Sequence, residues 1–300
     1  MADTETPREA AGTVEDAVAN PAEAPPLTTS AQPVAPYGGT PASAFVYALG
    51  QIEARFPSLS VEKEFAQTVG SPGSAGLTDR QALKRALSER QNRYLARSLC
   101  WVFVIEGLET YILLPRDPAD LDLLVDAYRD EPRRDDLDCV IGVRGPIAPP
   151  EMCNGLALPV VVFDQLYSFD RDSLIESIPK PDSVPAKDLG KFRTAAGNLF
   201  DQLVQIADNA GAIDEHRALN YLTMRYPRIY AAATEQFDRN FSFTGVEVLP
   251  SPLSGARSIV DVVFSYRHRE SDVVEKQFVR VDVTEALPFL VTKMSPYLDR

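Results

Sequence analysis

Val260-Asp-Val-Val-Phe-Ser-Tyr266 and Val279-Arg-Val-Asp-Val283 decide the fold class. In the first stretch, Val260, Val262, Phe264 and Tyr266 alternate with Asp261, Val263 and Ser265. In the second, Val279, Val281 and Val283 alternate with Arg280 and Asp282. A period of two puts each set on its own face of a sheet, so both stretches read as strands. Residues 289–294 are expected as a third strand. Joining loops of a few residues make an antiparallel meander the simplest topology. Just upstream the period is helical. Leu189, Phe192, Ala196, Leu199, Leu203, Ile206 and Ala210 step by three and four, with Gly211 as the stop. A second helix is expected over 215–226, ended by Pro227, and a third over 228–239. Helices followed by strands give an α+β fold, not the alternation of a doubly wound sheet.

Working outward, the first half is also mixed. Residues 45–50 have strand composition. Ser60 is expected to cap a helix through 69, and residues 71–76 read as a loop. Thr78-Asp-Arg-Gln81 is a capping box that opens a helix burying Leu83, Ala86 and Leu87, with a further helical segment over 93–98. Two β-rich runs, 100–105 and 109–114, flank Glu106-Gly107-Leu108 and read as a hairpin. Asp117 followed by Pro118 starts a helix carrying Leu121, Leu124, Val125 and Tyr128 inward. Strands are expected over 138–143 and 159–167, and Asp170 caps a helix through 177. Pro179, Pro181 and Pro185 mark a domain boundary. The expected organisation is a Pro/Ala-rich acidic tail over 1–42, a first α+β domain over 43–180, and a second over 186–300. The second is a three-helix segment followed by the antiparallel meander.

The tail holds seven prolines, six acids, one base and one aromatic, Tyr37, and is expected to be disordered. The whole chain has 300 residues and a formal charge of −13, which argues against phosphate-backbone or anionic-membrane binding. The longest apolar runs, 99–105 and 156–163, fall far short of the roughly 20 residues a bilayer span needs. Three cysteines, Cys100, Cys139 and Cys153, do not make a disulfide framework, and residues 1–7 lack the pattern of a secretory signal. A reducing cytoplasm is the expected location.

The common nucleotide and hydrolase signatures are missing: no Gly-x-Gly-x-x-Gly, no P-loop and no Gly-x-Ser-x-Gly occur. Neither His-Glu-x-x-His nor Cys-x-x-Cys is present, and no cysteine or histidine pair has zinc-ligand spacing. No metal or cofactor is expected. His268 reads as a turn residue. His216, in Asp214-Glu-His-Arg217, reads as a helix-start residue with Asp214 beside it. The candidate functional loop holds Glu151, Cys153 and Asn154, between two strands. Cys153 is expected to be a buried, inert thiol; the alternative is a site in which Cys153 acts with His216, with or without zinc. The charges of 129–138 read as a solvated loop.

Longer motifs carry a resemblance. They are Glu106-Gly-Leu-Glu-Thr-Tyr-Ile-Leu113, the 142–155 stretch Gly-Val-Arg-Gly-Pro-Ile-Ala-Pro-Pro-Glu-Met-Cys-Asn-Gly, Val162-Phe-Asp-Gln-Leu-Tyr-Ser-Phe-Asp170, and Ala207-Asp-Asn-Ala-Gly-Ala-Ile-Asp-Glu-His-Arg217. In this order, from about residue 43 onward, they resemble the C-terminal domains of unknown function of the cyanobactin maturation proteins PatA and PatG. The resemblance implies a region appended to subtilisin-like proteases that trim and macrocyclise ribosomal peptides. It transfers no catalytic residue, and neither histidine stands in a His-Gly context. The implied role is a non-catalytic accessory or binding protein. Its expected partner is a precursor peptide or a subtilisin-like maturation protease, not nucleic acid and not a membrane.

Overall fold

The computed structural model of the chain describes residues 44–70, 78–179 and 188–298. The readings made for the tail, for the loop 71–76 and for most of the proline-rich boundary lie outside the described residues. Thr40–Arg300 form one compact unit.

The first half is built on five strands: β1 (Phe45–Arg55), β2 (Cys100–Ile105), β3 (Leu108–Pro115), β4 (Asp136–Ile147) and β5 (Pro159–Asp170). They close into a barrel in the order β1-β2-β3-β5-β4, with β3 and β5 parallel and the other pairs antiparallel. The β2–β3 hairpin turns on Glu106 (φ 50°) and Gly107 (φ 81°), the left-handed pair that a two-residue hairpin turn requires. Strand β1 changes partner along its length: Phe45–Gly50 pair with β4, and Gln51–Arg55 pair with β2.

Alternation sorts the barrel faces. Val46, Ala48, Trp101, Phe103, Tyr111, Leu113, Val161 and Phe163 belong to the interior core. That core is completed by residues from α1 (Leu59–Val69), α2 (Asp79–Ser88), α3 (Arg93–Ser98) and α4 (Leu121–Ala127). The capping box at Thr78 and Gln81 is present, and Asp117 caps the turn leading into α4. Helix α1 starts two residues earlier than expected. Its cap is Ser58, whose hydroxyl accepts from Val61 N at 3.4 Å.

Asp170 caps α5 (Arg171–Ser177), and the second half continues with α6 (Leu189–Val204), α7 (Asp214–Arg225) and α8 (Arg228–Asp238). Phe192, Ala196, Leu199, Phe200 and Leu203 of α6 are buried, each Leu or Phe contributing about 1.5–3 kcal/mol by leaving water. They pack with α7, α8 and a sheet ordered β10-β8-β7-β6, with β9 also on β8. The strands are β6 (Phe241–Pro250), β7 (Ile259–His268), β8 (Val274–Asp282), β9 (Phe289–Leu290) and β10 (Ser295–Pro296). The α+β class and the antiparallel sheet after the helices agree with the sequence. Val260 pairs with Val281 and Val262 with Val279 on the core face; Asp261 and Arg280 pair on the other and form an ion pair at 2.9 Å.

Two element readings are corrected, and one strand is new. Helix α6 stops at Val204, not at Gly211: Gln205 N makes the last helical bond, to Asp201 O, and farther on Gly211 O is taken by Tyr47 N of β1 and Ala210 O by the Tyr111 hydroxyl of β3. The expected strand over 289–294 is only the two-residue β9, since Val291 N already turns back to Arg280 O. Strand β6 carried no reading in the sequence. A register shift between Phe243 and Gly245 breaks its alternation.

Candidate functional site

The structure disperses the residues singled out in the sequence. Glu151 and Asn154 are exposed on the β4–β5 loop, and Asn154 takes a left-handed conformation (φ 47°) in the turn. Gly155 N bonds to Pro150 O at 2.7 Å and Leu156 N to Cys153 O at 2.9 Å, so this loop is internally braced. Cys153 is not a free thiol. It is joined to Cys100, the first residue of β2, with Cα atoms 5.6 Å apart. This corrects the reading of three unpaired cysteines. The 53-residue spacing carries no signal in sequence; the two residues meet because β3 pairs with β5, which brings the loop before β5 over the start of β2. The loop's apolar residues then cover Val102, Ile112 and Val160 on the outer face of the barrel.

Asp214 and His216 lie in the first turn of α7, on a separate element. Asp214 pairs with the fully buried Arg217 at 3.3 Å, and Arg217 also donates to Val283 O at 2.6 Å and to Glu285 O. Partial burial holds the His216 pKa below its usual value, against the pull of Glu215 and Asp208. Cys139 is the free cysteine among the described residues; burial pushes its thiol up to about 12, so it stays protonated and unreactive. No group of three or more His, Cys, Asp or Glu side chains among the described residues is placed to hold a metal.

What the fold does build is a cleft at the mouth of the barrel. After α6, the chain over 205–213 leaves the helix and bonds to two strands of the barrel, β1 and β3. Tyr47 N donates to Gly211 O at 2.9 Å, and the Tyr111 hydroxyl donates to Ala210 O at 2.8 Å. Asn209 and Asn220 lock this segment: Asn209 Nδ2 donates to Asn220 Oδ1 at 2.7 Å, and Asn220 Nδ2 donates to Tyr47 O at 2.8 Å. Both asparagines are buried and satisfied, which makes the contact between the halves specific. Beside this plug opens a cleft of about 670 Å³. Leu49, Leu137 and Val204 give it apolar surface, the hairpin tip Glu106-Gly107 forms one side, and Arg133 and Arg134 line the other edge of β1.

The 129–138 stretch, read from sequence as a solvated loop, divides into two parts. Arg129 is consumed by Asp138 at 3.2 Å and Asp136 at 3.5 Å, and Asp138 also accepts from Ile52 N. Asp136 further accepts from Arg133 N at 2.7 Å, and Gln51 Nε2 donates to Arg133 O at 3.0 Å. The Arg133 backbone is therefore pinned, while neither the Arg133 nor the Arg134 guanidinium forms an ion pair among the described residues. Of the two lining acids, Glu53 is neutralised by Arg80 at 2.7 Å; Glu106 sits at the hairpin tip. A second depression, of about 690 Å³, lies between Phe56, Leu59 and the braced β4–β5 loop. Its Arg55 and Glu109 pair with each other at 3.1 Å, leaving less unpaired charge for a ligand.

Residues 186–297 match the PatG C-terminal family model. The matched region begins just before α6 and takes in the plug, α7, α8 and the second sheet. The solved structure of the PatG domain of unknown function is similar at a TM-score of 0.67 and 20% identity, covering 85% of this chain and 99% of that one. At that identity the likeness establishes the fold, and it extends the shared architecture over the PatG-like barrel as well. The resemblance read from the sequence is borne out. None of the curated proteins matches the chain. The barrel's strand order, with β3 parallel to β5, is that of the five-stranded OB type, a fold that by itself carries no function.

Proposed function

We propose that this PatG-like chain is a non-catalytic binding component of ribosomal-peptide maturation, which recognises a precursor peptide or the protease that processes it. The observation that supports this reading is the barrel-mouth cleft. It combines an apolar surface with rigidly held amides and unpaired guanidiniums, the composition of a recognition site rather than of a reacting centre. The alternative, an enzyme using Cys153 and His216, has no nucleophile or zinc ligand at Cys153 while its sulfur is bonded to Cys100. Among the described residues no helix is long and apolar enough to cross a membrane. A cytoplasmic setting goes with this reading.

The test is retention of peptides by the full-length, immobilised chain. A library of linear pentapeptides is passed over it, and bound and unbound fractions are compared by mass spectrometry. The reading expects a retained subset of unchanged mass. Retention of nothing overturns the peptide reading, and products of altered mass overturn the non-catalytic one.

A further inference from the structure

We infer that the barrel-mouth cleft binds a peptide carboxylate, held between Arg133 and Arg134, with the peptide's apolar side chains on Leu49, Leu137 and Val204. The inference rests on the peptide-binding reading above and specifies its ligand chemistry.

Three features carry it. First, the local charge opposes the global one. The chain has a formal charge of −13, yet two adjacent guanidiniums line this cleft without ion pairs among the described residues. Of the acids that surround them in sequence, Asp136 and Asp138 are held by Arg129 and Glu131 accepts from Gln81 Nε2 at 2.9 Å, while Asp130 and Asp135 stay exposed; Asp170 feels the Arg133 charge without an ion pair. Second, the base of these arginines is fixed. Arg133 N and O are both tied, to Asp136 and Gln51, so its side chain starts from a set point on the rim. A planar guanidinium fork matches a carboxylate in a bidentate, charge-assisted geometry that a lysine could not give. Third, the rest of the lining suits a peptide. Leu49, Leu137 and Val204 take side chains, and Glu106 on the other flank of β1 leaves the cleft polar in one sense: cationic at the Arg end, anionic at the hairpin end. A peptide carrying its carboxylate at the Arg end and amide N–H groups toward Glu106 fits that polarity.

The experiment is calorimetric titration of the full-length chain with three acetylated probes. These are Ala-Leu-Val-Leu-Ala with a free C-terminus, the same peptide as its C-terminal amide, and the amide with Glu replacing the central Val. Each is repeated on the Arg133→Gln/Arg134→Gln variant, whose exposed positions leave the fold intact, checked by an unchanged melting temperature. At least one carboxylate probe is expected to bind the wild-type chain about tenfold or more tightly than the neutral amide. That preference disappears in the variant. Preference for the first probe assigns a chain terminus, and preference for the third an acidic side chain. Equal binding of all three, or a preference that survives in the variant, overturns the carboxylate assignment while leaving peptide binding standing. Binding of none overturns both.

Discussion

Reducing the Cys100–Cys153 bond is a perturbation whose size follows from the chain path. The bond closes a loop with a sequence separation of 53 residues. Loop-closure entropy for that length is about −14 cal/mol/K, or roughly 4 kcal/mol of unfolded-state destabilisation at 25 °C. Both residues are buried, so replacing them by alanine would add a small cavity of about 1 kcal/mol to that figure; a phosphine reductant removes the bond without deleting side-chain atoms. The readout is Trp101, the chain's single tryptophan, which follows Cys100 on β2 and donates its Nε1–H to Ala96 O at 3.0 Å. Urea unfolding followed by Trp101 fluorescence should shift to lower denaturant by about 1.4 M on reduction, taking an m-value at the upper end of the range, about 3 kcal/mol/M. Mass spectrometry of the denatured protein should show two hydrogens gained. An unchanged midpoint with the mass gain confirmed would refute the claim that this bond ties the β4–β5 loop to the barrel.

Other consequences can be checked on the same unfolding curve. Gly211→Ala places a Cβ about 2.3 Å from Tyr47 O at a φ of +66°; it should cost about 3 kcal/mol, clearly more than Gly107→Ala, whose Cβ meets nothing within 4 Å. Arg217→Met leaves the carbonyls of Val283 and Glu285 without their buried donor, and a loss of about 3–5 kcal/mol in denaturant unfolding is expected. Because burial lowers the His216 pKa in the folded state, the unfolded chain takes up the proton first. Stability is therefore complete above about pH 6.5 and falls as pH drops below it; melting temperatures at pH 7.5 and 5.5 should differ more for the wild type than for His216→Gln.

Local chemistry was legible where a single segment decides the outcome. The Thr78–Gln81 box, the Asp117-Pro118 start, the Glu106-Gly107 turn and the Val260–Tyr266 alternation all act within a few residues, and each appears as read. The reading failed where a distant segment competes. The helical period of α6 runs on to Ala210, but the barrel offers other partners, Tyr47 N of β1 to Gly211 O and the Tyr111 hydroxyl of β3 to Ala210 O, and the chain leaves the helix at Val204 to take them. Strand β6 was hidden by its own bulge. The candidate site suffered most. Cys153 drew attention as a loop thiol, and its real role, pairing with a residue 53 positions earlier, exists only after the barrel has closed. The cleft residues come from β1, the β2–β3 tip, the segment before β4, α6 and α7, so no stretch of sequence contains the site. Asn209 was inside a quoted motif, but its bond to Asn220 gave no periodic signal. Arg133 and Arg134 looked like solvated charges because all the acids around them looked available; the fold shows three of those acids, Glu131, Asp136 and Asp138, already bonded elsewhere.

Peptide binding at the barrel mouth is tested most directly by hydrogen exchange of the full-length chain, read by mass spectrometry with and without a saturating retained peptide. The account predicts slowed exchange in three separate segments, 49–53, 104–107 and 133–137, which converge only at the cleft. Protection confined to the second sheet, over 241–250 or 274–282, with those three segments unchanged, would contradict it.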